Sequence, residues 1–306
     1  DSISDAPIVY NDNLRKILLK SFTGKSLKEK LTPWSRMRPK LLKPKLPGVK
    51  EPRTGLSMGE STEIIAKDYD ISRHDQDALA IKSHKNASRA YDEGFYEDLV
   101  IPFEGIEKDN IIRNDSSIDK LASLNTVFDK GVNATLTPGN STSLTDGSAA
   151  VLLASDEWAN KNNLDIESYI TSFEIAAVDY IDNEGLLMAP AYAVSEMLKK
   201  QNLNLQDFDF YEIHEAFAAQ TLATINAWES AEFCKSKLGR EKVMGSFDHN
   251  KLNVKGGSLA IGHPFAATGA RIVATLSKLL KDNGGGKGLI SICTAGGMGI
   301  TAILER

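Results

Sequence analysis

Apolar positions along the chain fall into three stretches with different periods. Between Ile71 and Phe95 they recur at helical spacing until Gly94 interrupts them, and residues 1 to about 130 read as charged, helix-forming sequence behind a loop-rich opening. Over 131–155 the pattern changes. Turn residues surround Pro138 to Asn140 and recur at Asp146-Gly147, then the apolar run Ala149 to Ala154 predicts a buried strand. From about 165 strands and helices alternate, as in an α/β layer. A helix is predicted from Ala189 to Lys200, with Pro190 in its first turn, followed by a strand over Phe208 to Ile213 and a helix over Glu215 to Trp228. Pro264 suits another first turn. Ile272, Leu276, Leu279 and Leu280 form one face of that helix, and Gly284 to Gly286 stop it. Gly288 to Ile292 and Ile300 to Leu304 then predict two strands joined through Thr294 to Gly299.

That pattern puts three reactive side chains at strand ends or ahead of helices: His214, His263 and Cys293. In open α/β sheets these are the places where ligands bind. Taken singly, each has an ordinary explanation, as a helix cap, a group ahead of a proline turn, or a small buried hydrophobe. Their surroundings argue for more. Gly256, Gly257 and Gly262 precede His263 and permit close approach of a ligand to backbone. Gly296, Gly297 and Gly299 follow Cys293 and would turn backbone N–H groups toward its thiol. A thiol that works near neutral pH needs a basic neighbour, and His263 is the candidate. Glu215 adds a polar group beside His214. No metal site is expected, because no second histidine follows His214 at helical spacing and His74, His84 and His249 are scattered.

Composition changes the picture at one place. With 306 residues, 42% hydrophobic and 25% charged, the chain is ordinary for a soluble globular protein, which excludes disordered and fibrous classes. Its net charge of −5 hides a basic stretch. Residues 14–53 hold thirteen Lys/Arg against Glu29 and Glu51, together with Trp34, Met37 and, before Val49, four prolines (Pro33, Pro39, Pro44 and Pro47), which predicts an irregular surface element. A solvated loop is the plain reading. Contact with the phosphates of a ligand, an anionic membrane surface or a partner subunit are the sharper ones. Nucleic acid is not expected, since no aromatic interleaving accompanies the charge. Two cysteines, Cys234 and Cys293, cannot form a disulfide framework and fit a reducing compartment, the bacterial cytoplasm or alternatively the mitochondrion.

HEAF at 214–217, GHPFAATGAR at 262–271 and CTAGGMG at 293–299 resemble, in order and spacing, the C-terminal signatures of thiolases. TPGNSTSLTDGSAA at 137–150 resembles the strand motif closing the N-terminal half of that family, and SMGESTE at 57–63 its loop-domain motif. HEAF in place of the commoner NEAF, with the long basic insert, is similar to the fatty-acid-oxidation branch that includes the trifunctional-complex β-subunit. The resemblance implies a layered αβαβα fold. Its C-terminal half is expected complete over 161–306, the last strand region of the N-terminal half over 131–160, and a helical loop domain with the basic insert over 1–130. The N-terminal half is otherwise expected to be largely missing, with exposed apolar faces and poor solubility as consequences.

The activity implied is thiolysis of a 3-oxoacyl-CoA by CoA, an acyl-CoA C-acyltransferase reaction of fatty-acid β-oxidation. CoA and acyl-CoA are its substrates, and no metal or redox cofactor is expected. The resemblance makes His263 the activating base, Cys293 the group that moves a proton at the α-carbon, and His214 an oxyanion donor. It aligns Thr142 with a pantetheine contact, Met58 and Phe217 with pocket walls, and Ala295 with a position offering only its backbone N–H. The acyl-carrying cysteine has no counterpart, because Cys234 lies in charged sequence, EFCKSK, outside any glycine-rich turn. The alternatives are an acetoacetyl-CoA-forming thiolase of biosynthetic or sterol-carrier type, and a non-catalytic acyl-CoA-binding relative. The resemblance also implies a homodimer, with a hydratase/dehydrogenase α-subunit as a further partner, and peripheral membrane contact through 14–53.

Overall fold

The computed structural model describes residues 1–45, 48–181 and 184–306. The chain separates into a small unit, Ser2–Val49, and a large one, Asp1 with Lys50–Arg306.

The small unit is more regular than its prolines suggest. It holds α1 (Asp12–Thr23), capped by the Asn11 side chain, and α2 (Leu27–Leu31), capped by Ser26, followed by 3₁₀ turns at Thr32–Arg36 and Pro39–Leu42. Pro33 is the second residue of one turn and Pro39 the first of the other, where no N–H is needed, so they start local helix and do not exclude it. Leu14, Ile17 and Leu41 form its core. Pro47 and the adjacent Leu46 lie outside the described residues.

In the large unit the helices before the sheet are α3 (Met58–Asp68), α4 (Arg73–Asp92), α5 (Ile118–Ala122) and α6 (Asp156–Lys161). SMGE is a capping box: Glu60 N donates to Ser57 Oγ and Ser57 N to Glu60 Oε2, at 3.2 and 2.6 Å. Further along α3 the Glu63 carboxylate accepts from the backbone N–H groups of Thr135 and Leu136 at 2.6 and 2.9 Å. The first N-terminal motif is therefore tied to the chain just ahead of the second. α4 ends as its apolar pattern predicts, with Gly94 in the left-handed region at φ +74°.

The sheet comprises β1 (Tyr169–Ala177), β2 (Phe210–Ile213), β3 (Lys287–Thr294) and β4 (Met298–Glu305) in the order β1-β4-β3-β2. β2 runs parallel to β3, while β4 is antiparallel to both β3 and β1. The remaining helices are α7 (Ala189–Gln201), α8 (Ala218–Glu229), α9 (Ala231–Ser236), α10 (Ser258–Ile261) and α11 (Thr268–Asp282). α7 covers one face of the sheet, its Val194, Met197 and Leu198 packing in the same core as Leu289, Cys293 and Ile303. α11 covers the other over β2 and β3, with Ile272, Leu276 and Leu280 against Ile290 and Leu304. Burying each of these aliphatic side chains is worth about 1.5–3 kcal/mol.

One expectation fails here, and a neighbouring apolar face shares the reason. Ala149–Ala154 forms no strand and is not buried. Leu152 and Leu153 are 72% and 69% exposed, because no neighbouring strand among the described residues offers them a ladder. On the α11 side of β1, Phe173 and Ile175 are likewise exposed, beyond the reach of that helix. In a third place the proline signal is displaced. Pro264 precedes a turn at 265–267, and α11 begins only at Thr268.

The β3–β4 hairpin turns through Gly296 and Gly297, at φ +79° and +72°. A Cβ on Gly297 would lie 2.4 Å from Tyr180 Cδ1 and 2.8 Å from the Val178 carbonyl oxygen. Gly297→Ala is expected to destabilise the chain by about 1–3 kcal/mol, combining left-handed strain with this overlap. A denaturant midpoint equal to that of the parent chain would contradict this.

Candidate active site

Parallel pairing of β2 with β3 ends at Ile213 opposite Ser291, and the His214 N–H donates to the Ser291 carbonyl at 2.8 Å. His214 and Cys293 therefore leave neighbouring strands at one edge of the sheet. An extended segment that follows the TPGN turn holds the loops above that edge. Asn140 accepts from the Ala218 N–H, Thr142 donates its N–H to the Ala216 carbonyl, and Ser143 accepts from the His263 N–H. Thr142 Oγ1 donates to the Ser258 carbonyl at 2.6 Å. Thr142 is thus committed to joining two site loops.

The two imidazoles meet, with ring centroids 4.3 Å apart and planes tilted by 53°. Thr268 Oγ1 donates to the Pro264 carbonyl at 3.1 Å, so toward His263 Nδ1, 2.6 Å away, it serves as acceptor. His263 then carries its proton on Nδ1 and presents a lone pair at Nε2. Burial, reinforced by the Arg271 cation, lowers its pKa to about 4, so the ring is neutral at pH 7. His214 is 1% exposed, and burial together with His263 and Arg271 holds it neutral well below the ordinary imidazole range. Its Nδ1 lies 2.9 Å from Ser258 Oγ, and its Nε2 has no partner among the described residues.

Cys293 differs from expectation. Its Sγ donates to Gln220 Oε1 at 3.5 Å, so the hydrogen-bond partner of the thiol is an amide on α8 in place of His263. The side chain faces α7 and α8 within the core, and burial pushes its pKa up to about 12, keeping it a thiol. Ala295 is exposed at the hairpin turn, Phe217 is buried edge-on to Phe128 with centroids 5.8 Å apart, and Met58 packs partly buried beside the main core. Cys234 is fully buried on α9, its Sγ donating to the Trp228 carbonyl at 3.4 Å. It has no path to a substrate.

Residues given no catalytic role by the sequence do much of the positioning. Glu215 Oε1 accepts from Asn253 Nδ2 at 2.6 Å, while Oε2 accepts from Ser83 Oγ at 2.7 Å and from the Leu259 N–H at 3.2 Å. Gly257 leaves the room this carboxylate needs, since a Cβ there would come within 2.4 Å of it. Ser258, Thr268, Arg271 and Gln220 each fix a reactive side chain. Thr268 and Arg271 stand inside the GHPFAATGAR segment and Ser258 just ahead of it, but their partners are set by tertiary contact, which spacing alone does not show.

Glu212 lies beneath His214 on β2, fully buried, with Oε1 unpartnered among the described residues. Burial raises its pKa to about 8 despite Arg271. The folded chain therefore holds a proton, between pH 4.5 and 8, that the unfolded chain releases. Stability falls as pH rises through that window. Glu212→Gln is expected to remove this slope and to raise the melting temperature at pH 9 more than at pH 5. Equal shifts at both values would contradict it.

Residues 164–306 match the family model described as thiolase, C-terminal domain, and residues 3–157 match that described as thiolase, N-terminal domain. The second match corrects the expectation of a largely missing N-terminal half. A segment corresponding to it is present, as helices and extended chain with no strand among its described residues. The chain is 43% identical to the 3-ketoacyl-CoA thiolases of Yersinia pestis (strain Pestoides F) and Yersinia pseudotuberculosis (serotype O:3, strain YPIII), over all of its own length and 71% of theirs. Among solved structures it is similar to the acetyl-CoA acetyltransferase of Bacillus anthracis, with a TM-score of 0.71 and 34% identity over 84% of this chain and 62% of that one. It is also similar to human mitochondrial 3-ketoacyl-CoA thiolase, with a TM-score of 0.70 and 29% identity over 84% of this chain and 61% of that one. It thus spans less than two thirds of either solved chain.

Proposed function

Because the chain belongs to the thiolase family, we propose that it acts in thiolysis of 3-oxoacyl-CoA, handling the oxyanion and the proton at the acetyl-CoA end of the reaction. The observation that carries this reading is the pair of neutral imidazoles 4.3 Å apart, one a base and the other with a buried, unpartnered nitrogen.

In the proposed reaction an acyl-accepting thiolate attacks the C3 carbonyl, and the C2–C3 bond breaks with its electron pair passing to the acetyl-CoA enolate. Cys293, held as a thiol, gives that carbon its proton. His214 stabilises the negative oxygen. His263, with its lone pair on Nε2, takes the proton of the attacking thiol. Phe217 and Met58 serve as pocket walls, Ala295 offers its backbone N–H, and Thr142 meets the pantetheine side of the site through the loops it joins. The acyl-carrying cysteine is neither Cys234 nor Cys293, and the proposed steps use side chains and CoA thioesters alone.

Exchange of the acetyl-CoA methyl protons in D₂O tests the reading, because it needs the enolate machinery and no acyl carrier. Exchange above the buffer rate, lost in His214→Ala, is expected. Acetyl-CoA binding without exchange would sink it. Similarity to the B. anthracis acetyltransferase favours a second, acetoacetyl-CoA-forming direction, and thiolysis confined to acetoacetyl-CoA among short and long 3-oxoacyl-CoAs would decide for it.

For partners we propose a homodimer, a hydratase/dehydrogenase subunit, and an anionic membrane surface at the small unit. Lys16, Lys20, Lys28, Arg36, Arg38 and Lys40 line a cavity of about 760 Å³ there, and Phe22 and Leu27 are 88% and 75% exposed nearby in sequence. No helix among the described residues is long and apolar enough to cross a membrane. A reducing compartment, cytoplasmic in a bacterium, is proposed on the two free thiols.

A further inference from the structure

Histidine can offer a hydrogen-bond donor or an acceptor from the same nitrogen, and which one it offers depends on its other nitrogen. At His214 the other nitrogen, Nδ1, faces Ser258 Oγ at 2.9 Å. Ser258 Oγ is also 2.8 Å from Arg271 Nη2. A guanidinium only donates, so Ser258 must accept from Arg271. The hydroxyl has one hydrogen left to place. Ser258 is fully buried, and among the described residues His214 Nδ1 is the sole recorded neighbour able to accept that hydrogen. Were Nδ1 protonated instead, the buried Ser258 hydroxyl would have no acceptor, whereas Nε2 is without a partner among the described residues in either tautomer.

We propose that Arg271, acting through the Ser258 hydroxyl, locks His214 as the Nε2–H tautomer and so makes it a hydrogen-bond donor to the oxygen on which negative charge develops. Arg271 is a positioning residue, since it reaches the reacting atoms only through Ser258 and His214. The neighbouring ring is set the opposite way by Thr268, whose hydroxyl is spent on the Pro264 carbonyl and accepts from His263 Nδ1–H. Two serine/threonine hydroxyls, one steered by a cation and the other by a carbonyl, thereby give adjacent imidazoles opposite polarity at Nε2. The Arg271 charge has a second effect in the same direction: with burial, it keeps His214 from taking up a second proton. The donor role rests on the acyl-CoA reading; the tautomer does not.

The test is the ¹⁵N spectrum of the full chain labelled at histidine. For the parent chain His214 is expected to show a pyrrole-type Nε2 and a pyridine-type Nδ1. A pyrrole-type Nδ1 would overturn the proposal without any variant. In Ser258→Ala and Arg271→Met the two His214 signals should move toward each other as the tautomers mix, and Ser258→Thr, which keeps the hydroxyl, should restore them. Unmoved signals in both Ser258→Ala and Arg271→Met would also overturn it. His84 serves as the control for folding, because its Nδ1 accepts from the Arg113 N–H at 3.1 Å and takes no hydrogen bond from Ser258 or Arg271, so its signals should stay put. In Ser258→Ala the maximal rate of acetyl-CoA proton exchange should fall about tenfold or more, as for loss of one oriented oxyanion donor, with acetyl-CoA affinity unchanged. A shifted spectrum with undiminished exchange would uphold the tautomer lock and refute the donor role of His214, while absence of exchange in the parent chain would refute the acyl-CoA reading itself.

Discussion

Cys293→Ala is expected to slow exchange of the acetyl-CoA α-protons by about 10²–10⁴-fold, the range for removing a positioned acid–base group, with little change in stability. The thiol is buried and its hydrogen bond to Gln220 is long, 3.5 Å, so truncation removes one weak contact and a small volume. Its chemistry is harder to replace. Burial holds it protonated up to about pH 12, which suits a group that must deliver a proton to an enolate. Exchange followed by proton NMR, alongside thermal melts of parent and variant, checks both halves. Unchanged exchange would remove Cys293 from the reaction. A collapsed melt would instead recast it as a packing residue.

Glu215→Ala carries the largest expected cost in stability. The carboxylate has three donors on three separate pieces of chain: Ser83 on α4, the Asn253 side chain, and the Leu259 N–H at the start of α10. All are buried, and each unmet buried donor costs about 1–3 kcal/mol, so the variant should lose about 3–5 kcal/mol. Loss of the clamp should also let the loop carrying Gly256 to Gly262 move away from His214. Glu215→Gln keeps the size and one acceptor and should recover part of the loss. Denaturant midpoints of the three chains decide the matter. An alanine variant within about 0.5 kcal/mol of the parent would show the clamp to be idle.

Reading the sequence alone recovers those parts of the fold whose partners are local or adjacent. The α11 face, Ile272 to Leu280, and the paired runs of β3 and β4 carry their own periodicity, and both histidines stand in segments with glycine-rich context. The apolar run at 149–154 misled because an apolar run says only that a strand can be buried, and burial needs a neighbour that the described chain does not supply. Proline at 264 marked a turn, one step early for the helix. Within the site, Glu215 looked like a second polar group and proves to be the clamp, while the Ser258–Arg271 pair and the Gln220 amide were invisible because their partners lie 13 to 73 positions away. Hydrogen-bond direction in such a site is a property of the assembled network.

β1 closes one side of the sheet and has no further strand beside it among the described residues, yet it spans nine residues and presents Phe173 and Ile175 to solvent. Its outer backbone groups and that greasy flank together form a template on which another extended segment can lay itself down, from a sister molecule as readily as from a rightful neighbour. Covering that margin would therefore also keep such molecules apart.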